Sequence, residues 1–296
     1  MTNKVSFICT TYRRYRCVER IIEQFIQQDY PHKELIIFNT DVENPLSLDP
    51  DLVNLNIKLF NNDTDYVTGK SYTNRGAICR DAVTHATGEY FMLADDDDAY
   101  LPWHIRQAVD GISANGKDAW KPERSIFATP HKIELTRNTL EASVIVKMNR
   151  IREIGFRDDM TGYEGLSWYT KLRDEKHLDE HFTHYVPSYC FNWSDPSDMA
   201  GHKQSGDINN PSNFDNHKIA STDVSAKPLN RCGQSVIDPF YNRFYEFLSN
   251  TKNNYDPELW AKYVSPYVLE RLDSENKPYF STEYLIKEYL KLSDVR

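Results

Sequence analysis

The chain has 296 residues, with 35 Lys and Arg against 44 Asp and Glu and a formal net charge of −9. That acidity excludes broad, non-specific nucleic-acid binding, which needs a basic footprint. Hydrophobic residues at 40% and charged residues at 27% fit a soluble globular protein, either one large α/β domain or one of about 200 residues plus a small accessory unit.

The five cysteines, Cys9, Cys17, Cys79, Cys190 and Cys232, include no CxxC pair. Neither a disulfide framework nor a zinc site is expected, and a reducing compartment is. The opening MTNKVSFICTTYRR has too short an apolar run for a secretion signal. No stretch nears the roughly 18 apolar residues of a membrane span, so the expected location is cytoplasmic.

Val5 to Cys9 is an apolar run ending in Thr10-Thr11 and reads as a buried strand. Cys17, Val18, Ile21, Ile22, Phe25 and Ile26 follow at helical spacing, and Asp29-Tyr30-Pro31 ends that helix. Leu35 to Phe38 and Ile57 to Phe60 are two more buried strands. Ala77, Ile78, Ala82, Val83 and Ala86 mark a helix face, with Gly88 expected to terminate it. Tyr90 to Leu93 is the next strand. Alternating strands and helices imply βαβ units and a mainly parallel sheet. Ligands bind such sheets outside the carboxyl ends of the strands. Thr10-Thr11-Tyr12, Asn39-Thr40-Asp41 and Asp95 to Asp98 all fall at such ends and are expected to converge on one crevice.

Beyond Pro102 the pattern predicts a helix over about Trp103 to Ser113. Antiparallel or mixed strands are expected within 124–150, and a helix around Glu164 to Arg173. Residues 194–235 are rich in Asn, Asp, Ser, Gly and Pro and read as loop. From Val236 onward helical stripes return, among them Phe240, Phe244, Phe247 and Leu248, then Leu259, Tyr263, Val264 and Tyr267, then Leu285, Ile286, Tyr289 and Leu290. The expected organisation is a principal domain over 1–193, a loop-rich segment closing the site over 194–235, and a C-terminal helical region over 236–296.

Four consecutive carboxylates, Asp95 to Asp98, follow the strand Tyr90 to Leu93. Mutual repulsion makes such a run costly unless something offsets it. A divalent cation does so, since Mg²⁺ and Mn²⁺ take oxygen ligands and are commonly held by one or two carboxylates plus substrate phosphates. The expectation is that the quartet is tolerable only through such an ion. A solvated charged loop is the alternative.

The stretches VSFICTTYRR, ELIIFNTD and GKSYTNRGAICRDAVTHATGEYFMLADDDDAYLP resemble the family 2 glycosyltransferases of GT-A fold. The resemblance covers about residues 4 to 175. Its specific part is the order Gly88-Glu89-Tyr90, acidic run, Leu101-Pro102. It implies a Rossmann-like GT-A fold with a C-terminal helical appendage, and a nucleotide-sugar-dependent hexosyl- or pentosyltransferase that inverts the anomeric carbon. Mn²⁺ or Mg²⁺ is the implied cofactor and a UDP-sugar the implied donor.

Carried over residue by residue, the resemblance implies Asp95 and Asp97 as the Asp-x-Asp motif, with Asp95 and Asp97 on the metal and Asp95 near the donor ribose. Asp96 is added as a nucleotide-side residue because a four-Asp run allows a one-residue shift. Thr10 and Tyr12 match the turn that contacts the base. Arg75 and Arg80 lie where the family carries a basic residue beneath the diphosphate. Where the family has Asp-Asp after the second strand, this chain has Asn39-Thr40-Asp41. Asn39 through its amide, or Asp41 through its carboxylate, would then read the base. The general base of the family matches Glu164, in Gly162-Tyr163-Glu164-Gly165, with Asp158 and Asp159 in reserve. His202 lies in a segment that closes the site in the family and is a candidate metal or diphosphate contact.

Two rival readings use the same acidic crevice: a nucleotidyltransferase, and a sugar-nucleotide-binding protein that has lost its base, since Gly165 replaces an acid. The acceptor is a hydroxyl compound, a glycan, a lipopolysaccharide-type polymer or a modified nucleic-acid base. Lys121, Arg124, Lys132, Arg137, Lys147, Arg150, Arg152 and Arg157 form a basic strip that would suit a polyanionic acceptor, or are ordinary interspersed surface charge.

Overall fold

The computed structural model describes residues 3–128, 132–138, 140–157, 164–179, 185–192 and 228–272. The alternation seen in the sequence folds as expected. β1 (Val5–Thr11), α1 (Tyr15–Gln27), β2 (Lys33–Asn39), β3 (Ile57–Asn61), α3 (Arg75–Val83) and β4 (Tyr90–Leu93) follow one another, with a short α2 (Pro50–Val53) between β2 and β3. The sequence reading missed α2. Its signal is local: Asp49 caps it by accepting from the Asp51 amide at 3.0 Å, and Pro50 starts it.

β1 pairs in parallel with both β2 and β4, and β2 in parallel with β3. β6 (Ala119–Trp120), β9 (Ile145–Lys147) and β10 (Leu178–Asp179) complete a seven-stranded sheet of order β10-β6-β9-β4-β1-β2-β3, in which only β9 runs antiparallel to its neighbours. The expected α/β, Rossmann-like class with a mainly parallel sheet is what forms. A second sheet of order β5-β11-β7-β8 joins β5 (Ala99–Tyr100), β11 (Tyr189–Asn192), β7 (Arg124–Ala128) and β8 (Ile133–Arg137). The mixed strands expected within 124–150 are thus divided between two sheets.

Both faces of the main sheet are covered, which is why its central strands are continuous apolar runs rather than alternating ones. Phe7, Cys9, Leu35 and Ile37 pack with Val18, Ile22 and Phe25 of α1 and with Ile105 and Val109 of α4 (His104–Asn115). Ile8, Ile36 and Phe91 pack on the opposite side with α3, with Ile151 of α5 (Met148–Ile154) and with Trp168 of α6 (Glu164–Asp174). A third cluster sets Trp103 and Leu101 against Tyr241 and Phe244 of α7 (Gln234–Asn250) and Trp260, Val264 and Val268 of the helical run 257–272. The C-terminal helices are therefore tied to the sheet. Tyr267 donates to Asp29 at 2.7 Å, and Tyr263 and Lys262 both donate to Asp110 at 2.7 Å. Arg231 forks onto Glu23 of α1.

Gly88 does not terminate α3, contrary to the sequence reading; the cap is Thr84. Gly88 is small because it lies against β1. A Cβ there would sit 2.5 Å from Ser6 Oγ and 2.7 Å from the Lys4 carbonyl. Among the described residues no helix is long and apolar enough to cross a membrane.

Candidate active site at the carboxyl edge of the sheet

Four parallel strands, β4, β1, β2 and β3, end side by side, and hydrogen bonds join their exits. The Thr40 amide donates to the Thr11 carbonyl at 3.0 Å, the Asn62 amide to the Asn39 carbonyl at 2.9 Å, and the Ala94 amide to the Ile8 carbonyl at 2.7 Å. The three polar turns expected to share one crevice are therefore adjacent.

The acidic run is held by protein groups, which corrects the expectation that only a metal ion makes it tolerable. Asp95 pairs with Arg75. Asp96 accepts from Thr11 Oγ1 at 2.8 Å and from Arg14 Nη1 at 2.6 Å, and the same Nη1 reaches Asp97 Oδ2 at 3.0 Å. Asp98 accepts from Tyr189 Oη at 2.5 Å and from the Asn192 amide at 3.0 Å. Asn192 Nδ2 also donates to the Asp97 carbonyl, and Arg243 of α7 pairs with Asn192. Two buried glutamines, Gln24 of α1 and Gln28 at its C-cap, hold the backbone that follows. Gln24 bonds the Asp98 carbonyl and the Tyr100 amide, while Gln28 bonds the carbonyls of Tyr100 and Leu101.

The four aspartates are thereby unequal. The Asp96, Asp97 and Asp98 side chains are buried, whereas Asp95 keeps 24% of its side chain exposed. Burial pushes the Asp98 carboxyl well above its ordinary range, and neighbouring Asp97 and Asp95 add to the rise. Burial also raises Asp96, with Arg14 opposing and Asp97 reinforcing. Burial works against the charged form of both, and at Asp96 the Arg14 guanidinium opposes it. Asp98 is thus part of the scaffold, Asp96 and Asp97 are buried beside Arg14, and of the four only Asp95 keeps an appreciably exposed side chain.

The donor set fits a hard divalent cation. Carboxylate oxygens are its preferred ligands, and among the described residues Asp95 Oδ2 takes no protein donor. Among those residues no group of three or more His, Cys, Asp or Glu is placed to hold a metal ion. The expected third ligand, His202, and the reserve bases Asp158 and Asp159 lie outside the described residues.

Thr10, half-buried, accepts from Arg75 Nε at 3.5 Å, so Arg75 links the first turn to the acidic loop. Arg80 is not brought there: it points away along α3 onto Asp65 at 2.7 Å and Asp81 at 2.9 Å. Helical geometry explains the correction, since residues five apart on a helix face different directions.

Asn39 is also corrected. It is buried, its Nδ2 donates to the Asp41 carbonyl and to Asn61 Oδ1, and its Oδ1 accepts from the Asp41 amide. An amide so engaged braces the turn and leaves nothing to read a base. Asp41 accepts from Arg13 Nε at 2.8 Å and from Asn44 at 3.0 Å, both on Oδ2. Arg13 also lies over the Tyr12 ring, 5.2 Å from its centroid. Its φ of 53° places a non-glycine residue in the left-handed region, a conformation that surrounding contacts must hold; the ion pairs to Asp41 and Glu43 supply them.

Glu164 is the first residue of α6, the helix-start position expected for it. The chain leading there runs against α3: a Cβ on Gly76 would sit 1.7 Å from the Arg157 carbonyl. Glycine at 76 is what allows this approach beside Arg75.

The basic strip disperses. Lys121 is buried and donates to the Asn138 carbonyl and to Tyr169 Oη, both at 2.6 Å. Lys147 and Arg150 pair with Asp118. Arg124 and Arg137 face each other across the β7–β8 hairpin.

A family model described as Glycosyl transferase family 2 matches residues 6–128. Among solved structures, the chain is similar to S. aureus TarS 1–349 in complex with UDP, at 16% identity and a TM-score of 0.47, covering 67% of this chain and 62% of that one. It spans 38% of another TarS chain. It is also similar to the mannosyltransferase PcManGT from Pyrobaculum calidifontis in complex with GDP-Man and Mn²⁺, at 16% identity and a TM-score of 0.45, covering 97% and 86%. A third similar structure is glucosyl-3-phosphoglycerate synthase from Mycobacterium tuberculosis with Mn²⁺, UDP and glucosyl-3-phosphoglycerate, at 11% identity and a TM-score of 0.46, covering 65% and 70%.

Proposed function

We propose, since a model described as Glycosyl transferase family 2 matches residues 6–128, a metal-dependent inverting transfer of a sugar from a nucleotide-diphosphate donor, a UDP-sugar, to a hydroxyl acceptor. The observation that carries this reading is the adjacency of the three strand-end turns, joined by backbone hydrogen bonds, with a partly exposed carboxylate, Asp95, paired to Arg75, which also donates to Thr10.

In this reading Tyr12 and Asp41 take the base, and Thr10 lines the path from base to diphosphate. Arg75 meets the diphosphate. Asp95 and Asp97 hold Mn²⁺ or Mg²⁺, which when bound offsets the charge that develops on the leaving diphosphate. Glu164 accepts the proton of the acceptor hydroxyl as its oxygen bonds the anomeric carbon and the carbon–phosphate-oxygen bond breaks. Attack opposite the leaving group inverts that carbon. A carboxylate base of this kind contributes a factor of about 10²–10⁴. The dispersed charges of residues 121–157 suit a glycan or a modified nucleic-acid base as acceptor without requiring a polyanion.

A thermal-shift panel of UDP, GDP, CDP and ADP and their sugars, each with and without Mn²⁺, tests the reading. A rise in melting temperature for one nucleotide that grows with Mn²⁺ supports it through linkage. No shift with any nucleotide overturns it.

A further inference from the structure

Arg14 has a second job that its sequence position does not announce. One nitrogen, Nη1, bridges two carboxylates, Asp96 at 2.6 Å and Asp97 at 3.0 Å. The other, Nη2, is buried and has no hydrogen-bond partner among the described residues. A buried donor left unmade is costly, and such groups in native folds mark a ligand, a water or a function. The guanidinium belongs to the turn between β1 and α1 that also carries Tyr12, and it touches Asp97, one of the two aspartates assigned to the cation.

Resting on the nucleotide-sugar reading above, we infer that Arg14 is an exchangeable counter-ion: it neutralises Asp96 and Asp97 in the empty site and turns its spare N–H donors to the donor diphosphate once the divalent cation engages Asp97. The charge balance requires competition. A cation entering alone must displace part of a built ion pair, so it binds weakly. A diphosphate arriving with it brings anionic oxygens that take up the released guanidinium. Metal and nucleotide then strengthen each other by the same factor, since coupling between binding sites is reciprocal. Arginine suits this because its planar fork contacts a carboxylate and a phosphate with different N–H groups at once, which a lysine ammonium does not. Burial works against the charge on Arg14, but Asp96 and Asp97 hold it firmly protonated, so it remains a cation throughout.

Isothermal titration calorimetry on the full chain tests this with Mn²⁺ alone, with UDP or GDP alone, and with each pair together. In the wild type, Mn²⁺ alone is expected to bind weakly and to tighten by about tenfold or more when the nucleotide is present. Arg14→Gln should bind Mn²⁺ alone more tightly than wild type and lose most of the mutual enhancement. Arg14→Lys, which keeps the charge and so the fold, should leave Mn²⁺ alone as weak as in wild type while still losing enhancement; a purely structural role for Arg14 would not separate these two effects. Cooperative binding by wild type with an unchanged coupling factor in Arg14→Lys, or unchanged Mn²⁺ affinity in a folded Arg14→Gln, overturns the inference and leaves the functional reading standing. Wild type that takes up neither Mn²⁺ nor either nucleotide overturns both.

Discussion

Tyr189 donates a 2.5 Å hydrogen bond to Asp98, a residue 91 positions earlier in the chain. Asp98 also receives the Asn192 amide, and Asn192 is held by Arg243 of α7. The acidic loop is therefore clamped from the far side by a strand of the second sheet and by the C-terminal helical region. Tyr189→Phe removes one donor from a fully buried carboxyl without changing the ring's packing. The expected result is a stability loss of about 1–3 kcal/mol, seen as a lower urea midpoint, with weaker Mn²⁺-dependent donor binding because Asp97 sits beside the loosened residue. A stability unchanged from wild type would show that the clamp contributes nothing.

Glu164→Gln keeps the size of the proposed base and removes its ability to accept a proton. Transfer is expected to fall by about 10²–10⁴ while the donor dissociation constant stays near that of wild type. Turnover close to wild type moves the base role away from Glu164, and the same substitution at Asp158 and at Asp159 would then locate it.

Acid sensitivity follows from two buried groups, His104 and Glu34. His104 bonds Ser188 through Nδ1, and burial drives its pKa from 6.5 down to about 3. Between those values the unfolded chain binds a proton that the folded chain refuses, so stability falls as pH drops from 6.5 towards 3. Each such proton is worth about 1.4 kcal/mol per pH unit. Glu34 adds to this lower down. Burial opposes its charge, but donors from Ser6, Lys4, Lys58 and the Thr87 amide prevail and hold its pKa near about 2, against 4.5. Its contribution is present above 4.5 and is lost as pH falls to 2. Melting temperature measured from pH 7 to pH 4 should decline in the wild type and decline less in His104→Gln. Parallel profiles for the two proteins would contradict the assignment.

The parallel sheet was legible because each strand is an apolar run ending in polar residues, and because Gly88-Glu89-Tyr90 leads into the acidic quartet. The convergence of three turns followed from topology alone. What stayed hidden were the partners. Arg13 and Arg14 stand in plain view after Thr10-Thr11-Tyr12, but only folding brings Arg14 to Asp96 and Asp97 across more than eighty residues. Tyr189 and Asn192 carry no local signal of their role on Asp98. Asn39 looked like a base reader because its position matched one, whereas its amide closes the turn that presents Asp41. The resemblance put Arg80 with Arg75 beneath the diphosphate, and helical rotation turns it to Asp65. In each case the residue type was right for the chemistry and the direction of the side chain decided its use.

If Asp95 and Asp97 hold the cation, donor cleavage depends on a divalent ion and on both side chains. Release of UDP from UDP-sugars, followed with Mn²⁺, with EDTA, and in Asp97→Asn checked for an unchanged melting temperature, measures this. The expected result is release by wild type with Mn²⁺, abolished by EDTA and by Asp97→Asn. Release that continues undiminished in EDTA and in a folded Asp97→Asn protein would contradict it.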